Sequence, residues 1–328
     1  MRSKSLLLFA LIMLFVVQAC TKGEKISAQQ PKPVDVYVAG FTVASNNNFV
    51  ATYWKNGVVT ALGDSTVSSV ANSITVSGND VYIAGFIRPA LGNSIACYWR
   101  NGLLTKLSDG SIDTRATGIT VNGADVYVSG SAGRSGSVAM YWKNGSQVNL
   151  GDNTSFSGAN AIAVQGSDIY VAGFSNNNYA SYWKNGKDSV LSTADIGNCS
   201  DILLTGNDVY LVGYVGSTGG ATYWKNGVQV PLNQGTSFNA NAIAINGSDI
   251  YISGNDFNNT YGVYWKNGIL TKLQPGTITR GIAVNEGDVY LAGVTNTNGK
   301  NSAAYWKNNS MVILANVGEA HSITIVTK

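Results

Sequence analysis

Seven near-copies of one short phrase constrain this chain more than any other feature. Tyr-Trp-Lys/Arg-Asn followed by Gly or Asn recurs with its tyrosine at Tyr53, Tyr98, Tyr141, Tyr182, Tyr223, Tyr264 and Tyr305, at spacings of 45, 43 and then four times 41 residues. All seven tryptophans lie in these copies. A second phrase, Asp-Val/Ile-Tyr-aliphatic-small-Gly, begins at Asp35, Asp80, Asp125, Asp168, Asp208, Asp249 and Asp288, once upstream of each Tyr-Trp. A period of about 40 residues along the whole body of a chain means repeated supersecondary units that share their cores with neighbours.

Each unit reads as four strands, because its apolar runs are short, alternating, rich in β-branched and aromatic residues, and separated by Gly, Asn and Asp. Strand a is of the Ile74–Val76 type, strand b holds Asp-Val-Tyr, strand c Tyr-Trp-Lys, and strand d the run after it, such as Val58–Leu62. Asn-Gly between c and d predicts a two-residue type I′ turn, whose positive φ angles those residues accept. The aromatics repeat mid-strand beside small residues, which reads as packing between sheets. The repeated Asp is expected to bond its own turn, and the repeated Lys to form a solvated ring.

Four antiparallel strands per unit, seven times over, predict an all-β fold, a seven-bladed β-propeller forming one domain over residues 35–328. No strand a precedes Asp35, whereas Ser322-Ile323-Thr324-Ile325-Val326 matches Ser73-Ile74-Thr75-Val76. The last segment is therefore expected to complete the first blade, closing the ring and burying two isoleucines. The phrase Ala180-Ser181-Tyr182-Trp183-Lys184-Asn185-Gly186 resembles the HAF-type repeat of bacterial extracellular propellers, with Tyr in place of Phe before Trp. That resemblance implies the fold and an extracellular setting, and it implies no activity and no catalytic residue.

The first 34 residues read differently. Arg2 and Lys4 precede an apolar run from Leu6 to Val17, too short for a bilayer span of about 20 residues and suited to a signal peptide. Val17-Gln18-Ala19-Cys20 resembles the lipobox of bacterial lipoproteins, which implies removal of residues 1–19, lipidation of Cys20 and, with Thr21 following, the outer membrane of a Gram-negative cell. Residues 20–34 then form a flexible tether. Without Arg2 and Lys4, 19 basic residues face 18 acidic ones, a balance that argues against nucleic acid as a partner. The lipid is the expected membrane contact, and a monomer is expected. Cys97 and Cys199, in blades 2 and 5, are expected to be free thiols.

Strand order places the b–c and d–a connections at one end of the propeller and the a–b and c–d hairpins at the other. The hairpin end is monotonous, whereas loops at the other end vary in length and content, and variable loops on a rigid scaffold are where binding concentrates. The residue just before strand a varies from blade to blade while staying polar: Asn72, Thr117, Asn160, Ser200, Asn241, Arg280 and His321. As strand a is innermost, these seven are expected to ring the channel mouth, either holding a polar ligand or capping strand a. Among aromatics outside the repeat, Phe41, Phe86, Phe174 and Tyr214 share one position and read as blade caps. Phe156 and Phe238, in matching Thr-Ser-Phe segments, and Tyr179 and Tyr261, at the start of strand c, are candidate ligand contacts.

No metal-ligand spacing, Gly-rich phosphate loop or partnered nucleophile is present, so no cofactor or metal and no catalytic residue is expected. A carboxylate pair for glycoside cleavage could come from Asp64, Asp109, Asp113, Asp152, Asp195 or Asp256, but no spacing selects one. Two readings then remain for a non-enzyme: a protein-interaction or adhesion platform, slightly ahead because it needs no special site, and a glycan-binding surface lipoprotein, favoured by Asn-rich loops at Asn46–Asn48, Asn176–Asn178 and Asn258–Asn259.

Overall fold

A computed structural model describes residues 32–133, 138–151, 155–176, 178–192, 195–217, 220–232, 237–256, 261–297 and 299–328. The expected leader and most of the expected tether, Cys20 included, lie outside these residues, as do Asp152, Asn177, Phe257, Asn258 and Asn259.

Residues 33–328 build seven four-stranded antiparallel sheets, set as blades in a ring. In blade 2 the spatial order is strand a (Ser68–Ser77), b (Asp80–Arg88), c (Ile95–Arg100) and d (Leu103–Lys106). Strand a of each blade contacts strand a of the next, so these seven strands surround the centre. Blade 1 is closed as the repeat pattern requires: Gly318–Thr327 lies beside strand b (Val34–Val43), followed by Phe49–Lys55 and Val58–Ala61. Its register sets Ile323 opposite Val38 and Ile325 opposite Val36. Only Ile323 is buried, however; Ile325 is partly exposed and packs at the margin of the blade 7–blade 1 cluster.

The repeated aromatics do form the core. Every tryptophan is at most 1 % exposed, and each apolar cluster joins two blades rather than filling one. Tyr82 and Ala84 of blade 2 pack with Ile119, Val128 and Trp142 of blade 3. Tyr290 and Ala292 of blade 7 pack in the same way with Ile323, Val38 and Trp54 of blade 1. The junction where the ring closes is therefore packed like the others, and no blade could bury its faces alone. Cys97 and Cys199 are buried and free, in blades 2 and 5.

The c–d turns have the expected positive φ, for example 50° at Asn56 and 81° at Gly57. The repeated Asp and Lys behave differently from expectation. Asp35 accepts Asn56 Nδ2 at 2.7 Å, while Asn56 Oδ1 accepts the Val36 amide at 2.8 Å and Lys55 pairs with Asp35 at 3.2 Å. The same Asn–Asp bond recurs in the other six blades. Each Asp thus clamps the neighbouring c–d turn of its own blade instead of bonding its own turn, and each basic residue is paired rather than merely solvated.

Strand a is longer than the sequence suggested, and it contains a β-bulge. Pairing with strand b shifts register between Ala71 and Ser73 in blade 2, and at the equivalent position in every other blade. The bulge explains the glycine that ends the second repeated phrase. A Cβ on Gly85 would stand 1.9 Å from the Val70 carbonyl oxygen and 3.1 Å from the Trp99 ring; on Gly213 it would stand 1.8 Å from Asn198 O. A bulge adds a residue on one strand and bends it toward its partner, and here only a residue without a side chain tolerates the approach.

Candidate functional site

The seven polar residues expected just before strand a are its bulge residues, well inside the strand. Their first role is structural. Asn72 Nδ2 donates to Ala116 O of the next blade at 2.8 Å, Thr117 Oγ1 to Ala159 O at 2.8 Å, and Asn160 Nδ2 to Cys199 O at 2.8 Å. Asn241 Nδ2 donates to Thr279 O at 2.6 Å, and His321 Nδ1 to Ala71 O at 3.1 Å. In each case the acceptor is the residue preceding the next blade's bulge. Ser200 has no such bond, its side chain being the shortest of the set. The following residue serves that junction instead, Asp201 Oδ2 accepting the Ile243 amide at 3.0 Å. Arg280 departs too, pairing with Glu319 of blade 1 at 2.8 Å. All seven blade junctions are bridged near the bulge, by five bonds of one kind and two substitutes.

Above this belt, toward the variable loops, lies a polar funnel of about 620 Å3, within the range of about 300–1,000 Å3 usual for small-molecule sites. Five of the seven expected residues line it: Asn72, Thr117, Asn241, Arg280 and His321. Asn160 and Ser200 do not; Asn160 is drawn aside by Asn198 Oδ1 at 2.6 Å as well as by Cys199 O. The rest of the wall was missed in the sequence. Arg115, Asn239 and Ile278 stand two residues before the bulge on strand a, and Phe86 and Asn255 follow the crowded glycine on strand b. The signal was present: strand alternation, continued upstream through the bulge, returns the same face two residues earlier. Ending strand a at the apolar run concealed it.

The wall is rich in amides and carries charge on one side. Asn241 Nδ2 also bonds Asn255 Oδ1 at 2.7 Å. Asn239 Oδ1 is buried in the wall with no hydrogen-bond partner, an arrangement that disfavours the empty acceptor by the cost of its desolvation. Phe86, expected as a blade cap, lines the funnel under two guanidinium groups, Arg115 at 5.1 Å and Arg88 at 5.7 Å from its ring centre. On the blade 7–blade 1 side, Glu319 receives Arg280, Asn301 Nδ2 at 3.1 Å and His321 Nε2 at 3.4 Å. Burial alone would raise the Glu319 carboxyl, but the His321 hydrogen bond and the charges of Arg280 and His321 outweigh it and hold the group at about 2. Burial, with Arg280 beside it, pushes the His321 imidazole below its ordinary value. Both ring nitrogens face acceptors, Nδ1 the Ala71 carbonyl and Nε2 the Glu319 carboxylate, so the neutral ring donates only one of these bonds and the protonated ring donates both.

The candidate aromatics separate. Phe238 is buried, edge-on to Trp265 at 5.8 Å, and belongs to the core, so it is not a ligand platform. Phe156 packs on Phe174 at 5.3 Å, and Phe41 on Phe49 at 4.5 Å and His321 at 5.5 Å. Tyr179 is half-buried at the start of its strand and does not line the funnel. Tyr261 lines a second cavity, of about 630 Å3, at the edge of the funnel.

Of the loop carboxylates, Asp64, Asp109 and Asp195 accept amides of their own turns, from Thr66, Ser111 and Ile196. Asp256 accepts the Tyr261 amide at 3.1 Å, and Asp113 is buried against Arg115 at 3.3 Å. None of these five lines the funnel.

Below the belt the seven a strands enclose a lower chamber of about 360 Å3. Asp201 is its one lining acid, where other blades place Ser73, Gly118, Ala161 and Ser322. Burial raises its carboxyl to about 6, against the pull of the Ile243 and Ile202 amides that it accepts.

No protein-family model matches the chain, and no curated protein is significantly similar to it.

Proposed function

We propose that this chain is a non-catalytic binding protein of the cell envelope, tethered through Cys20, whose propeller holds a hydroxyl-rich ligand, a glycan, in the funnel. The observation that carries this reading is the wall itself: the amides Asn72, Asn239, Asn241 and Asn255 converge on one cavity. Amides donate and accept at once, as sugar hydroxyls do. Phe86 and Ile278 add the apolar surface against which a sugar's C–H face can rest. A glycan array probed with the purified protein tests it. Selective retention is expected, reduced about tenfold by Asn239→Ala, a loss of one well-placed hydrogen bond, with an unchanged melting temperature. A folded sample that retains no glycan overturns the reading. Substitution of Asn72, Thr117 or His321 is a poorer test, because these residues also join blades.

One observation favours a protein partner as the second reading. Leu91 is 92 % and Ile112 54 % exposed on two blade 2 loops, which Asn93 fastens together through Gly110 O and Ser111 O at 3.2 and 3.0 Å. A paired apolar tip beside Arg88 and Arg115 resembles the anchor of an interface. A partner captured by the protein and lost with Leu91→Asp/Ile112→Asp, alongside an empty glycan array, would favour this reading.

A further inference from the structure

The funnel does not end at its own wall. Its lining residue Ile278 is also a lining residue of the second cavity, which is formed by Tyr261 and Pro275 of blade 6 and Val294, Asn296 and Asn301 of blade 7. Glu319 fastens the border between the two, holding Arg280 of the funnel through one oxygen and Asn301 of the outer cavity through the other. Each cavity is about as large as a separate small-molecule site.

Blade 6 is built to make this outer cavity. Its strand d, Ile269–Pro275, has seven residues, where strand d of blades 1 to 5 has four. A register shift between Tyr261 and Val263 brings Pro275 opposite Tyr261 and carries both toward the variable end. Thr277 of blade 7 pins the extension, accepting the Gly262 amide at 2.9 Å and donating to Gln274 O at 2.6 Å. The result is a shelf with an apolar floor, Tyr261, Pro275, Val294 and Ile278, edged by the amides of Asn296 and Asn301. Lys272 stands 5.2 Å from the Tyr261 ring centre. An apolar face with amides along its rim matches a pyranose ring, whose faces present C–H groups and whose edge presents hydroxyls; aromatic side chains serve such two-sided contacts well.

From this continuity we infer that the central funnel and the shelf, which opens from it between blades 6 and 7, are two subsites of one groove, and that the ligand is a linear oligosaccharide running outward from the amide wall, over Ile278, to Tyr261. The inference rests on the glycan reading above and adds to it a direction, a minimum length and a specificity-determining residue. A chain reaching both subsites gains the second contact without a second loss of translational freedom, so affinity rises with length until the shelf is filled and then levels off.

The test is calorimetric binding of β-1,4-linked glucose, xylose, mannose and N-acetylglucosamine oligomers and of α-1,4-linked glucose oligomers, from one to six units, to the purified protein. In the series that binds, affinity is expected to increase about tenfold between the shortest oligomer bound and the longer ones, the gain of one stacked subsite. Tyr261→Ala should abolish that increase and leave the short oligomers within about twofold, Tyr261→Phe should retain it, and Asn239→Ala should weaken every length alike. Length-independent binding overturns the inference and leaves the glycan reading standing, as does a Tyr261→Ala variant with unchanged affinity for long chains. No binding by any oligomer to the folded protein overturns both.

Discussion

The two ends of this propeller are made by opposite rules. At the hairpin end every blade repeats one device with one set of residues: Asp on strand b, Asn at the turn, and Lys or Arg before it. Near the loop end every blade repeats one backbone feature, the strand a bulge, while the side chain on it varies: Asn, Thr, Asn, Ser, Asn, Arg and His. The clamp needs a carboxylate, an amide and a cation at set distances, so its chemistry allows little substitution. The belt needs only a donor that reaches one carbonyl, so the same bridge is made by an amide, a hydroxyl or an imidazole. Spare chemistry then faces the funnel. Identity fixes the scaffold, and permitted variety supplies a wall that can be specific.

The largest effect expected concerns what both ends share, the closed ring. Deleting Gly318–Lys328 removes the whole of strand a of blade 1, the burial of Ile323, worth about 1.5–3 kcal/mol, the Glu319 and His321 bridges, and the ladder to strand b. The total is comparable to a typical net stability of about 5–15 kcal/mol. Calorimetry should show no cooperative transition at the wild-type temperature; a truncated chain that melts like the full one would refute the closure.

Next comes the bulge. Gly85→Ala forces a Cβ against the Val70 carbonyl and is expected to cost about 1–3 kcal/mol, as overpacking does. Gly78→Ala, at a surface turn with φ of 59° and open space around it, should cost about 1 kcal/mol from the backbone alone. Equal denaturant midpoints for the two would mean that the bulge does not hold strand b as described.

A pH-dependent difference follows from Asp201. Its folded-state value of about 6 lies above the ordinary 3.8, so between those values the folded protein binds the extra proton. Stability therefore falls as pH rises through that window, and the penalty is complete above about 7. Asp201→Asn should raise the unfolding free energy at pH 8 by about 1–2 kcal/mol, and by much less at pH 4, as read from denaturant melts at the two pH values. Solvent reaching the side chain from the lower chamber moderates this penalty. A stabilisation independent of pH would show that the carboxylate carries no such penalty.

The smallest effects test the comparison directly. Asn101→Gly and Asn185→Gly keep the positive φ and delete the clamp; each should cost about 1 kcal/mol, and about the same in the two blades. At the belt the same kind of truncation should be unequal, about 1 kcal/mol for Thr117→Ala and close to zero for Ser200→Ala. Chemical denaturation of the four variants decides it, and a uniform belt or an uneven clamp would reverse the contrast.

The architecture was legible because it is written seven times. Blade number, strand order, the c–d turn and the closing role of Ser322–Val326 all follow from period and alternation. The site was legible only in part. Asn72, Thr117, Asn241, Arg280 and His321 could be found because they vary where everything around them repeats. Arg115, Asn239 and Ile278 escape notice because the apolar run marks only the lower half of strand a, although they keep the period of two with the bulge residues Thr117, Asn241 and Arg280. Phe238 misled for a related reason: its Thr-Ser-Phe segment matches that of Phe156, yet Phe238 turns onto Trp265 while Phe156 stays beside Phe174. Local sequence cannot distinguish those outcomes, since each is decided by a ring on another strand of the same blade, Trp265 or Phe174.

The closing strand leaves the first and last residues of the ring touching. The Lys328 amide donates to Pro33 O at 3.0 Å, and its ammonium pairs with Asp35 at 2.9 Å. The break in the polypeptide therefore occupies the position of an ordinary a–b turn. In topological terms the domain has no privileged starting blade: a short linker from Lys328 to Pro33 and a new opening at another a–b turn, such as Gly166–Ser167, would give a circular permutant with the same sheets and the same cores. The order of blades along the chain would change, while their order in space would not.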